Sequence, residues 1–68
     1  MMKMTLRAAR INAGLTQAKA AYEIGVSTRT LGLWESGVRF PKANKIDKIC
    51  ELYGLSYDSI IFLPNNPL

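Results

Sequence analysis

The chain has no histidine, a single cysteine and only five carboxylates, scattered as Glu23, Glu35, Asp47, Glu51 and Asp58. Without an imidazole a nucleophile has no ready base beside it, and one thiol among isolated carboxylates offers no metal-ligand spacing. A glycine-rich phosphate loop is also missing. Catalysis, a metal and a cofactor are therefore not expected, which leaves recognition as the class of function. Cys50, being alone, cannot form an intramolecular disulfide. Nothing resembling a signal peptide precedes the first expected helix, so a reducing cytoplasm is the expected compartment. The apolar run Ile60 to Leu63 is far shorter than the ~20 residues of a membrane helix, so no membrane partner is expected.

What is present suffices for a small folded domain. Of the 68 residues, 49% are apolar, and they include Trp34, three tyrosines and two phenylalanines. Such a chain can build a core, although at this length one core is only marginally stabilising, so a second copy would help. The net charge of +4 fits a polyanionic partner but carries little weight alone. The basic residues run from Lys3 to Lys48 and concentrate loosely between Arg29 and Lys48, as a patch rather than a tail.

The segment Leu15 to Gly37, LTQAKAAYEIGVSTRTLGLWESG, organises the rest. Thr16 is a good N-cap and Gly25 suits a left-handed helix end, which predicts a helix over about Gln17 to Ile24. Ser27 is the next N-cap and opens a helix ending near Ser36 and Gly37. Residues three and four apart share a helix face, so Leu31, Trp34 and Glu35 point inward, while Thr28, Arg29, Gly32 and Leu33 form another face, assigned to a ligand. Small Ala21 opposite Leu31 lets the two helices cross closely about a glycine-containing turn, the arrangement of a DNA-binding helix-turn-helix.

With Gln17, Ala21, Gly25, Val26, Leu31, the Trp34-Glu35 pair and Gly37 in register, the chain resembles the Cro and phage-repressor type of helix-turn-helix protein, an XRE-like family. The resemblance covers about Leu6 to Leu63, because Arg10 in the first helix, Pro41 before the fourth and Leu55-Ser56 before the last also match. It implies an all-α, compact five-helix lambda-repressor-like DNA-binding domain over 5–63, with a loosely ordered lead at 1–4 and a disordered tail at 64–68. A chain of this size resembles a whole Cro-sized protein. The chain departs from the resemblance in helix two, where Ala20 replaces a usual leucine, which predicts a locally thinner core, and Lys19 stands where an acidic residue is frequent.

Along the chain, a first helix beginning near Thr5 would turn Leu6, Ala9, Arg10 and Ala13 inward. A buried arginine is costly unless paired, and Glu35, one turn beyond Leu31, is the expected partner. The resemblance implies the same pair, with phosphate contact as a further role for Arg10. A fourth helix over about Lys42 to Tyr53 carries the stripe Ile46, Ile49, Cys50 and Tyr53, with Cys50 read as core packing. Ser56 would cap a last short helix. The apolar residues after it are too many for one small core, so Tyr57, Ile60, Ile61 and Phe62 are expected at a homodimer interface.

The partner is expected to be double-stranded DNA. Ser27, Thr28, Arg29, Gly32 and Leu33 would face base edges in the major groove, with Arg29 bidentate to guanine. Leu33 has a second reading, in the core or an interface, because relatives often carry a polar residue there. Gly32 would let the helix approach closely. Thr16, Gln17, Thr30, Ser36, Arg39 and Lys42 would contact phosphates and set the register. A repressor acting as a homodimer on a palindrome, among the nucleoid in the cytoplasm, is the leading reading. Its rivals are an antitoxin-like protein-interaction module, for which Arg29 is dispensable, and a non-specific architectural DNA binder.

Overall fold

In the computed structural model, which describes residues 3–62, the chain runs β1 (Met4–Thr5), α1 (Leu6–Asn12), α2 (Gln17–Ile24), α3 (Thr28–Glu35), α4 (Ala43–Tyr53), a 3-10 turn (Tyr57–Ser59) and β2 (Ile60–Ile61). Three of the helices begin with the same local chemistry. The hydroxyls of Thr5, Thr16 and Ser27 accept from the amides of Ala8, Lys19 and Thr30 at 3.1, 3.1 and 3.0 Å, satisfying one otherwise unpaired donor in each first turn. Gly25 closes α2 at φ 91°, a conformation costly for any residue with a Cβ, and its amide together with that of Val26 returns to the Ala21 carbonyl.

The core gathers one stripe from each helix. Leu6 and Ala9 of α1, Ala20, Ala21 and Ile24 of α2, Leu31 and Trp34 of α3, and Ile49 and Tyr53 of α4 are buried together. Three of these are alanines, and side chains this small let the helices approach closely. Ile46 and Cys50 are only half buried on the same side of α4. Burial pushes the Cys50 thiol up, and nearby Asp47 adds to the rise, which favours the protonated form.

The two chain ends correct the sequence reading. The last element expected to be helical is instead the 3-10 turn followed by a strand, and Met4, expected in a loose lead, belongs to the strand it pairs with. The pairing is parallel, with Met4 opposite Ile60 and Thr5 opposite Ile61. Two consecutive β-branched residues suit a pleated strand, whose period of two sends successive side chains to opposite faces. Ile60 is accordingly 6% exposed and Ile61 41% exposed. Among the described residues there are thus four α-helices, and a two-stranded clasp stands where a fifth was expected. Leu63 and the tail at 64–68 lie outside the described residues.

Candidate nucleic-acid interface

The short link Gly25, Val26 and Ser27 sets α3 against α2, and the first turn of α3 stands on the surface. Thr28 and Arg29 are exposed, and no hydrogen bond or ion pair holds either side chain among the described residues. Gly32 and Leu33 are half buried one turn further on. Leu31, Trp34 and Glu35 face inward. The helix therefore presents a guanidinium and a hydroxyl to the outside along one side.

Ser27 is differently employed. Its Oγ accepts from the Thr30 amide at 3.0 Å and donates to the Thr30 hydroxyl at 2.9 Å, so both residues are tied into the cap. Ser36, at the other end of α3, is exposed and donates its hydroxyl to the Leu33 carbonyl at 3.2 Å. The amides of Val38 and Arg39 reach that same carbonyl at 3.0 and 3.2 Å, which folds the following loop back over the end of α3. Arg39 and Lys42 are exposed along this loop and at the N-cap of α4.

Behind this face lies a buried ionic network. Arg10 donates through Nε to Glu35 Oε2 at 2.7 Å, through Nη2 to Oε1 at 3.3 Å, and through Nη1 to the Leu15 carbonyl at 2.9 Å. The two side chains are 10% and 5% exposed, and the bond to Glu35 holds the guanidinium proton more tightly than usual against the opposing effect of burial. Gln17 adds a bond from Nε2 to Glu35 Oε1 at 3.1 Å. Its side chain lies over Gly32, where a Cβ would sit 3.6 Å from that Nε2. One of Gln17's amide hydrogens is thus spent inside the protein, while the second, and the backbone amides at the start of α2, remain for an anion. Exposed Thr16 caps this end through its hydroxyl.

Leu33 lines a groove of about 450 Å³ between α3 and α4, with Val26, Thr30 and Trp34 beside it and Arg39, Phe40, Lys42 and Lys45 around it. Lys45 and Phe40 were not singled out by sequence reasoning. Phe40 is a loop residue without periodicity, and only the fold shows that it is 56% exposed with its ring 5.5 Å from Phe62. Phe62 in turn stacks on Tyr57 at 5.5 Å, so the expected interface residues Tyr57 and Phe62 meet in one aromatic cluster. Ile61 is exposed on β2. Ile60 departs from its expected interface role: it is buried in the core of its own chain, because the pleat turns it inward.

Among the described residues no group of three metal-ligating side chains gathers, and no helix is long and apolar enough to cross a membrane. A sequence model of a helix-turn-helix domain matches residues 4–59. Neither a curated protein nor a solved structure shows significant similarity to the chain.

Proposed function

This chain belongs to a helix-turn-helix family of DNA-binding domains, and from that membership we propose that it is a sequence-specific transcriptional regulator, a repressor that binds a palindromic operator as a homodimer. The observation that carries the reading is the division of labour on α3. Thr28 and Arg29 stand free at its exposed start, while Leu31, Trp34 and Glu35 are committed to the core and the ionic network. A helix held rigidly from behind with unpaired polar groups in front is suited to the major groove, where each base pair shows a distinct donor and acceptor pattern.

In this reading Arg29 makes a bidentate contact to guanine and Thr28 meets a neighbouring base edge. Leu33 presents a methyl group to thymine from the groove wall, and Gly32 allows close approach. Ser27 acts mainly by fixing the first turn of α3, since its hydroxyl is already engaged. Thr16, the second Gln17 hydrogen, Thr30, Ser36, Arg39 and Lys42 flank this face and position it on phosphates. Tyr57, Ile61 and Phe62 form the dimer contact. The two recognition helices would then lie about 34–36 Å apart on half-sites one turn of DNA apart.

The test is selection from a randomised duplex library at a fixed moderate salt concentration, with wild type and Arg29→Ala side by side. A palindromic motif is expected, with the preference relaxed at one symmetric position in Arg29→Ala. That position is worth about 1–3 kcal/mol of discrimination. Identical motifs from both proteins would refute the placement of Arg29. No enrichment at all would favour the protein-interaction reading of the same fold.

A further inference from the structure

The groove between α3 and α4 has a feature that a phosphate-positioning surface does not require. Its wall is apolar, made of Leu33, Trp34 and Phe40, and its rim carries three cations, Arg39, Lys42 and Lys45. No carboxylate lines it, and none of the three cations has an ion-pair partner among the described residues. Lys45 is directed toward the carboxyl end of α2, since a Cβ on Gly25 would lie 3.6 Å from its Nζ. Lys42 caps α4 without a side-chain acceptor, so it leaves the first-turn amides of that helix unsatisfied by a cap. At about 450 Å³ the groove is within the range of small-ligand sites, which combine apolar walls with a few convergent polar groups.

We propose that this groove binds a small aromatic anion, an aryl carboxylate or aryl phosphate. Its ring lies against Leu33, Trp34 and Phe40, and its charge is held by Arg39 and Lys42. Charge complementarity selects the anion, and the apolar wall selects the ring. Leu33 belongs to both the groove and the proposed base-reading face, and Arg39 and Lys42 are the cations proposed to meet phosphates, so an occupied groove and a DNA-bound α3 exclude one another. The ligand is thereby an inducer that releases DNA. This regulatory half rests on the DNA-binding reading; the binding half does not.

The experiment is an NMR titration of the isotope-labelled 68-residue chain with naphthoate. The indole N–H of Trp34, the sole tryptophan, serves as the reporter. Saturable shifts are expected at Trp34, at its neighbours on α3 and at the start of α4. Naphthoate should bind at least about tenfold more tightly than naphthylmethanol or inorganic phosphate, each of which carries half of the recognition. Arg39→Gln and Lys42→Gln should each weaken it about tenfold, the loss of one charge-assisted bond. Lys48→Gln should leave binding unchanged, because Lys48 lies apart from the groove, beside Glu23 and Glu51. All three lysine and arginine positions are exposed, so the variants should retain the wild-type spectrum elsewhere.

Shifts that do not saturate, equal binding of naphthylmethanol, equal binding of inorganic phosphate, or an equal loss in Lys48→Gln would each overturn the site. In a second arm, naphthoate is added to a complex with the selected duplex at constant ionic strength. Release of the duplex is expected, and naphthoate binding in the groove without release would overturn the inducer role alone. Failure of the protein to bind any duplex would overturn the DNA reading and the inducer role with it, while the first arm still decides the site.

Discussion

Gln17, the first residue of α2, donates to the Glu35 carboxylate at 3.1 Å, and that carboxylate is the one Arg10 of α1 grips at 2.7 Å. A single acidic side chain at the end of α3 therefore fixes the neighbouring helices from which the outer face of α3 is presented. Breaking the pair by removing one partner strands a buried charge, which costs about 3–5 kcal/mol. Arg10→Met and Glu35→Leu are each expected to lose stability of that order, whereas the double variant should lose much less than their sum. Urea denaturation of the four proteins measures the coupling, and simple additivity would show that the pair is energetically idle.

Tyr53 gives the fold an alkaline limit. It is 5% exposed, its hydroxyl makes no hydrogen bond among the described residues, and burial, reinforced by Glu35, pushes its ionisation up to about 12 from 10. Because the folded value lies above the unfolded one, the associated stability is complete below pH 10. It is lost as the pH rises from 10 toward 12, amounting to up to about 2–3 kcal/mol. Tyr53→Phe removes both the titration and the unsatisfied hydroxyl. It should be neutral or slightly stabilising at pH 7 and should flatten the fall above pH 10, as followed by thermal melts across pH.

Gly32 separates stability from recognition. Its Cβ would meet only the Gln17 side chain at 3.6–3.9 Å, an ordinary contact, and its φ is not left-handed. Gly32→Ala should therefore raise stability by up to about 1 kcal/mol through helix propensity. If close approach to the duplex is its purpose, the same variant should bind the selected duplex less tightly. Melting and titration on one sample give the two signs, and unchanged affinity would remove Gly32 from the interface.

Ile60 and Ile61 are adjacent yet should behave oppositely. Ile60→Ala empties part of the core and should cost about 2–4 kcal/mol. Ile61→Ala changes a residue 41% exposed and should cost under about 1 kcal/mol. It should nevertheless weaken self-association in sedimentation equilibrium, since Ile61 borders the proposed contact. Wild-type protein that stays monomeric at millimolar concentration would refute the homodimer.

Helix positions were legible because their signals are local. Thr5, Thr16 and Ser27 cap helices within three residues of themselves, and Gly25 and Gly54 end them with left-handed backbone that side chains resist. The inward stripe of α3 followed from the 3.6-residue period. Those same rules misread Ile60 and Ile61, whose strand exists only because Met4 and Thr5 arrive beside it from the other end of the chain. The groove was illegible for a related reason: Phe40 and Arg39 sit on an aperiodic loop, and Lys45 meets them only once α4 has packed.

For α1 to α4 the sequence by itself thus determined about where each helix starts and stops and which face turns inward, because caps, glycines and helical period act over a turn or two. Only the tertiary structure decided that the two ends close as a parallel clasp and that three cations and an aromatic wall share one groove. Those features depend on contacts between segments far apart in the chain, which no local preference encodes.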